Sequence, residues 1–142
     1  MLYFAYGSNM KFERISKRIK DVEYVDIGQL LNYKLFCNKK SKDGTAKANI
    51  VYNYGDLVWG VLYEIDESHY PKLDLIEGGY ERKVFEIQTE NGKKILANAY
   101  ISTKFTDAFP SSSYKDLIVQ GAIENNFPDE YIEYLVKLPV SE

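Results

Sequence analysis

The chain has 142 residues, 45% of them hydrophobic and 27% charged, so we expect one folded domain over residues 1–142 and little disorder. The formal charge of −3, with the basic residues scattered along the chain, predicts no nucleic-acid partner and no binding to an anionic membrane surface. One cysteine, Cys37, and one histidine, His69, exclude an intramolecular disulfide and a histidine-rich metal site, so we predict neither a metal nor a cofactor.

The first predicted unit is a strand, a tight loop and a helix. Leu2 to Ala5 is an apolar run typical of a buried strand, and Tyr6 to Asn9 has the composition of a turn. Ser8 or Asn9 is placed to cap the helix that should begin near Lys11. Apolar residues then recur at helical spacing, at Phe12, Ile15 and Ile19.

Two longer strands with a polar segment between them are predicted next. Tyr24 to Phe36 is strand-like, whereas Asn38 to Lys47 is polar and contains Gly44, so we expect a mobile loop that is placed to act as a lid. Leu57 to Ile65 is rich in β-branched and aromatic residues, which favours a central strand. Gly60 within it predicts a close approach of backbone segments.

A short helix should follow that strand and place one glutamate at its carboxyl end. Asp66 or Ser68 can cap this helix, and Pro71 suits its first turn. Gly78-Gly79 should end it, so Glu77 is expected in its last turn.

The rest of the chain predicts a hairpin and two helices. Lys83 to Thr89 and Ile95 to Ile101 should pair through a turn at Asn91-Gly92. Ser111 to Ser113 can cap one helix, and Pro128 can open another. The resulting order, β-α-β-β-α-β-β-α-α, predicts an α+β fold with a mainly antiparallel sheet or barrel and flanking helices.

Two features could carry chemistry. The Tyr6 to Asn9 loop could present backbone N–H groups to a carboxylate or an oxyanion, or it could be an ordinary strand-to-helix turn. It lacks the lysine of a phosphate-binding loop. At a helix end and partly buried, Glu77 would have a raised pKa suited to a base, although a solvated glutamate is the more common case. Catalysis by His69 is not favoured, and Cys37 and Trp59 are expected in the core.

Several stretches, taken together, resemble the γ-glutamylcyclotransferase family, in the same order and with similar spacing over nearly the whole chain. They are Tyr3-Phe4-Ala5-Tyr6-Gly7-Ser8-Asn9-Met10, Val58-Trp59-Gly60-Val61, Leu73-Asp74 with Glu77-Gly78, Ala99-Tyr100-Ile101, Pro110-Ser111-Ser112-Ser113-Tyr114-Lys115, Gly121-Ala122 with Glu124-Asn125, and Pro128 with Glu130-Tyr131.

The resemblance implies a small mixed barrel with flanking helices and a set of site residues. It makes Glu77 the catalytic acid/base. It assigns substrate binding to the loop and to later tyrosines, namely Tyr3, Phe4, Ala5, Tyr6, Gly7, Ser8, Asn9, Tyr80, Tyr100 and Tyr114. The segment between Glu77-Gly78 and Tyr80 looks shorter than in vertebrate members, so the pocket edge there is expected to differ.

The activity implied is intramolecular cyclisation of a small γ-glutamyl substrate to 5-oxoproline, with release of an amino acid. No enzyme nucleophile is needed, because the substrate's own amine attacks. One alternative is a γ-glutamylamine cyclotransferase acting on γ-glutamyl-lysine or another amine, and a second is a non-catalytic ligand-binding module on the same fold. A phosphate or nucleotide binder is disfavoured. The resemblance is compatible with a homodimer, and no run is apolar enough for a signal peptide or a membrane span, so a cytoplasmic protein is expected.

Overall fold

The computed structural model describes residues 1–141, which form five strands and four helices in the order predicted from the sequence. These are β1 (Leu2–Ala5), α1 (Phe12–Arg18), β2 (Glu23–Lys40), β3 (Ala46–Glu64), α2 (Tyr70–Ile76), β4 (Glu81–Thr89), β5 (Lys94–Ile101), α3 (Ser112–Glu124) and α4 (Asp129–Val136). Short 3-10 turns, Ser8–Met10 and Glu67–His69, precede α1 and α2. Within residues 1–141, no helix has the length and apolar character needed to cross a membrane.

The five strands close into a barrel in the order β1-β3-β2-β4-β5. Neighbouring strands are antiparallel except for β1 and β5, which run parallel where Tyr3 faces Asn98. The predicted α+β class with a mainly antiparallel barrel is therefore confirmed. Because β1 lies between β3 and β5, the loop that follows β1 is placed beside residues of both strands.

The polar segment expected to be a mobile loop over residues 38–47 is strand at both ends, so the loop is half as long as predicted. Lys40 pairs with Ala46 and Lys39 with Lys47, which leaves only residues 41–45 as the turn of a long β2–β3 hairpin. Gly44 adopts a φ of +85° in this turn. The apolar side chains at positions 46, 48 and 50 are buried, which favours continuation of the strand through this polar sequence. Asn49, between them, is also buried and donates to Asn38 Oδ1 and to the Ser102 carbonyl.

The expected capping of α1 by Ser8 or Asn9 is also wrong. The N-cap residue of α1 is Lys11, and it makes no side-chain capping bond. Ser8 Oγ instead accepts a hydrogen bond from Arg14 Nε at 3.0 Å, while the Asn9 amide points at Tyr3 and Glu77. These polar side chains serve tertiary contacts in place of a helix end.

Gly60 marks the close contact between β3 and β1 that the sequence predicted. A Cβ atom at this position would lie 2.5 Å from Phe4 Cζ and 2.7 Å from the carbonyl oxygen of Ala5. Both distances are far below van der Waals contact, so only glycine lets the ring of Phe4 pack across β3. The prediction of close backbone approach at Gly60 is confirmed.

Candidate active site

A small pocket of ≈ 40 Å³ lies beside the loop that follows β1. The walls come from β1 and its loop, from β3 and β5, from the end of α2, and from the first turns of α3. The lining residues are Tyr3, Phe4, Tyr6, Gly7, Ser8, Asn9, Ala48, Glu77, Tyr80, Tyr100 and Tyr114. Every residue predicted for the site is among them except Ala5, which is buried in β1 against Gly60.

The loop is held in place by residues that are far from it in sequence. Tyr63 donates its hydroxyl to the carbonyl oxygens of Asn9 at 3.0 Å and Met10 at 3.1 Å. Asn125 Nδ2 donates to the same Met10 carbonyl at 3.1 Å. A Cβ at Gly121 would stand 2.8 Å from the Met10 side chain, so glycine there allows α3 to pack directly on the loop. One strand, β3, and one helix, α3 with its C-cap Asn125, therefore fix the backbone at Asn9 and Met10.

Glu77 follows the last turn of α2, as predicted. Its backbone N–H donates to the Leu73 carbonyl at 2.9 Å, and the chain then turns through Gly79 with a φ of +88°. The Glu77 carboxylate accepts a hydrogen bond from Asn9 Nδ2 at 3.1 Å. The same Asn9 amide donates to the hydroxyl of Tyr3 at 3.0 Å. Asn9 thus connects the loop, the base of the pocket and the carboxylate.

The environment of Glu77 favours its protonated form more than water does. Burial raises the pKa of Glu77 above its ordinary value, while the positive charges of Arg18, Lys39 and Arg14 and the bond from Asn9 oppose that shift. The net direction is upward. A carboxylate shifted this way can take up a proton and return it near neutral pH more readily than a solvated glutamate can.

The tyrosines of the pocket are neutral hydrogen-bonding groups. Tyr80 donates its hydroxyl to the Ala48 carbonyl at 2.6 Å, and the Ala48 N–H donates to the hydroxyl of Tyr114 at 3.0 Å. Tyr6 donates to the carbonyl oxygen of Tyr100. Burial raises the pKa of Tyr80, Tyr100 and Tyr114 well above the ordinary value, so these phenols keep their protons.

Sequence reasoning missed two residues at this site, Ala48 and Lys39. Ala48 binds two pocket tyrosines through its backbone, and Lys39 donates to the Gly78 carbonyl at 3.0 Å and lies 4.7 Å above the ring of Tyr80. Lys39 lies in the segment that was expected to be a loop, and Ala48 directly follows that segment. The alternation of apolar and polar residues from Ala46 to Ile50 was the available signal for a strand there.

A larger cleft of ≈ 720 Å³ shares Ser8, Glu77, Tyr80 and Tyr114 with the small pocket. We call this larger space the outer cleft. Basic side chains from α1, from the β2–β3 hairpin and from the segment after β5 supply much of its wall. The Glu77 carboxylate therefore stands where a narrow, tyrosine-lined pocket meets a wide, basic one.

Other reactive residues lie elsewhere. Neither Cys37 nor His69 lines the small pocket or the outer cleft. Burial raises the pKa of the Cys37 thiol to about 12, which suits an unreactive thiol, and the residue is partly buried against the core and not inside it. Among residues 1–141, no group of three or more His, Cys, Asp and Glu side chains is arranged to hold a metal ion.

Comparison with known proteins places this chain in a family. The AIG2-like family matches residues 57–135. Gamma-glutamylcyclotransferase of Homo sapiens is 37% identical over 143 residues, which cover 94% of this chain and 76% of the human one. The Mus musculus protein of that name is 36% identical, over 99% of this chain and 80% of the mouse chain.

The fold agrees with these relatives. A solved structure of a gamma-glutamyl cyclotransferase superposes with a TM-score of 0.91 at 34% sequence identity, covering 99% of this chain and 88% of that one. Similarity at this level extends over the barrel, the loop after β1 and the helices that support it. The chain therefore belongs to the γ-glutamylcyclotransferase family of AIG2-like proteins.

Proposed function

We propose that this protein is a γ-glutamylcyclotransferase that converts γ-glutamyl amino acids into 5-oxoproline and a free amino acid, with Glu77 as general acid/base. The observation that carries the proposal is the Glu77 carboxylate, hydrogen-bonded by Asn9 inside a pocket walled by the loop after β1. Burial raises its pKa, as an acid/base group requires. The similarity to enzymes named for this reaction supports the same conclusion.

The reaction needs one group that moves a proton. The substrate's α-amine attacks its own γ-carbonyl carbon, forming the C–N bond of the five-membered ring, and its proton passes to the Glu77 carboxylate. When the tetrahedral intermediate collapses, the bond to the leaving nitrogen breaks. That nitrogen takes the proton back from Glu77, so the carboxylate is regenerated and no water is consumed.

The rest of the pocket would bind and orient the substrate. Holding the amine near the γ-carbonyl in a single bound conformer removes much of the entropic barrier to ring closure. The first N–H groups of a helical turn have no partner within the turn, so those at Ser8 and Asn9 suit the substrate carboxylate or the developing oxyanion. The protonated phenols of Tyr80 and Tyr114 add neutral polar groups to the same wall.

The proposal is tested by measuring 5-oxoproline release from γ-glutamyl-alanine, γ-glutamyl-ε-lysine and glutathione. The α-linked glutamyl-alanine dipeptide is the matched control, because it lacks the γ-amide that is cleaved. We expect release from γ-glutamyl-alanine, unchanged by a chelator. Release from γ-glutamyl-ε-lysine alone would identify a γ-glutamylamine cyclotransferase. Binding without release from any of the three would identify a ligand-binding module.

The pathway, the location and the oligomeric state of this protein stay predictions. The family resemblance favours a role in glutathione metabolism and is compatible with a homodimer, and the cytoplasm is the location expected from the sequence. Cell fractionation tests the location, and light scattering of the purified chain tests the dimer. A monomer at assay concentration that is fully active would remove the homodimer from the proposal.

A further inference from the structure

The outer cleft is strongly basic although the chain as a whole is acidic. The formal charge of the chain is −3. The only carboxylate side chain in the cleft wall, within residues 1–141, is that of Glu77. The basic residues of the same wall are Arg14, Arg18, Lys39, Lys40, Lys42, Lys47 and Lys104.

Most of these cations have no carboxylate partner within the protein. In the part of the chain that the structure describes, Lys47 alone among them forms an ion pair, at 3.1 Å from Asp43. Arg14 donates to the neutral hydroxyl of Ser8 at 3.0 Å, and Arg18 donates to the amide oxygen of Asn9 at 3.4 Å. Glu77 and Asp43 therefore neutralise only part of the positive charge of the seven basic side chains in the cleft wall.

Two of the basic groups are affected by their surroundings. The pKa of Arg14 is lowered mainly by burial and then by the nearby charge of Arg18. Burial also lowers the pKa of Lys39, and Lys47 and Lys104 act in the same direction while Glu77 opposes it. Cations held this close to one another favour an anion placed between them.

A leaving amino acid with a single carboxylate would neutralise only a small part of the positive charge of the outer cleft. In the proposed reaction the glutamyl part enters the small pocket, so the leaving amino acid occupies the outer cleft beyond Glu77. An ordinary leaving amino acid brings one α-carboxylate. A volume of ≈ 720 Å³ falls within the range of complete ligand sites, so there is room for a longer and more charged leaving group.

We propose that the outer cleft selects leaving amino acids that carry a second carboxylate, so that γ-glutamyl-glutamate and γ-glutamyl-aspartate are preferred substrates. The inference rests on the proposed cyclotransferase function and adds the chemistry of the leaving group. The second carboxylate would lie among the cations of the hairpin turn and of the segment after β5, represented by Lys42 and Lys104. A leaving group with a free ammonium, such as lysine, is repelled by the same field.

The test compares kcat/KM for γ-glutamyl-glutamate and γ-glutamyl-glutamine, which have nearly the same shape and differ by one charge. We define the acidic preference as the ratio of the first value to the second. An ion pair at an exposed site contributes about two-fold to five-fold, so engagement of two lysines predicts a preference of about four-fold to twenty-five-fold at low salt. The preference should fall towards one in about 0.5 M salt, because exposed charges are screened.

Charge-removing variants locate the effect. Lys42→Gln and Lys104→Gln should each lower the acidic preference by about two-fold to five-fold. Lys83→Gln is the matched control, because Lys83 is exposed on β4 and lines neither cavity. It should leave the preference unchanged. An equal fall in Lys83→Gln would show a general effect of net charge and would overturn the assignment to the cleft.

The outcomes also separate this inference from the function on which it rests. Cyclisation of γ-glutamyl-glutamine with a preference of one or less would overturn the inference and leave the cyclotransferase function standing. A high preference that persists in the Lys42→Gln, Lys104→Gln double variant would likewise overturn it. If γ-glutamyl-alanine yields 5-oxoproline and neither of these dipeptides does, the inference alone is overturned. If none of the three dipeptides yields it, the function fails and the inference fails with it.

Discussion

Replacing Glu77 by glutamine is the most direct test of the chemistry. The amide has nearly the shape of the carboxylate, and its oxygen can still accept the 3.1 Å hydrogen bond from Asn9 Nδ2. It cannot take up and return a proton. We therefore expect Glu77→Gln to remove turnover while the pocket keeps its shape and its affinity for a γ-glutamyl ligand.

The expected loss of kcat in Glu77→Gln depends on whether another group lining the two cavities can move the proton. General acid–base catalysis contributes about 10²-fold to 10⁴-fold, or about 2.7–5.4 kcal/mol of barrier. Within residues 1–141, neither cavity presents a second carboxylate side chain that could substitute for Glu77. The phenols keep their protons and cannot act as bases at neutral pH. The fall in kcat should therefore be at least about 10²-fold.

The same substitution, Glu77→Gln, should lower kcat but should not lower the stability of the fold. Because the pKa of Glu77 in the folded protein lies above its unfolded value of about 4.3, the ionised carboxylate destabilises the fold. This cost is absent below the unfolded pKa, grows as the pH rises through the folded pKa, and is complete above it. The melting temperature of Glu77→Gln at neutral pH should equal or exceed that of the wild type, and at lower pH the two should converge.

The assay combines 5-oxoproline release with calorimetric binding and thermal melting. Glu81→Gln, an exposed carboxylate at the start of β4, is the matched control and should keep wild-type kcat. In the wild type, kcat/KM should fall on acidification with an apparent pKa above about 4.3. A correctly folded Glu77→Gln protein with near-normal kcat would refute the reasoning, because the proton would then be handled elsewhere.

Three further substitutions probe the same site. Asn9→Ala removes a bond that lowers the pKa of Glu77, so the acid limb of the kcat/KM profile should move to higher pH; an unmoved limb would contradict this. Gly7→Val adds a branched side chain where even a Cβ atom would lie only 3.1 Å from Ala48 Cβ, so calorimetry should show weaker binding of a γ-glutamyl ligand. Normal affinity in a folded variant would mean that the loop is only a structural turn. Gly60→Ala overpacks the β1–β3 contact and should lower the free energy of unfolding by about 1–3 kcal/mol. The melting temperature should therefore fall by several degrees. An unchanged melting temperature would mean that β3 can shift to accommodate the added methyl group.

The sequence was sufficient for the order of the elements and for the local position of Glu77. Turn residues and periodicity are local signals, and α2 ends at Ile76 with Glu77 as its C-cap residue, directly before the Gly78-Gly79 pair. The resemblance to a family added the candidate site residues, which the fold brings to one pocket apart from Ala5. Their roles in binding and catalysis stay predictions.

The features that could not be predicted from the sequence depend on contacts between residues far apart in the chain. Ser8 and Asn9 looked like capping residues because their partners, Arg14 and Glu77, are set by the tertiary structure. Lys39 looked like part of a solvated loop, yet its side chain is buried against Gly78. The basic cleft was likewise hidden, since its cations are scattered in sequence and come together only when the hairpin and α1 flank the same opening.

Closure of the barrel also has a kinetic consequence. The β2–β3 hairpin joins strands that are adjacent in the chain, so it can form early. The first and last strands, β1 and β5, pair through Tyr3 and Asn98, which are far apart in the chain. Contacts of such long separation form late, because the intervening chain must first be ordered. The pocket takes walls from β1, β3 and β5 together, so it cannot exist in a partly folded chain that has only the hairpin. A refolding chain should therefore regain its strand signal before it regains the ability to bind a γ-glutamyl ligand.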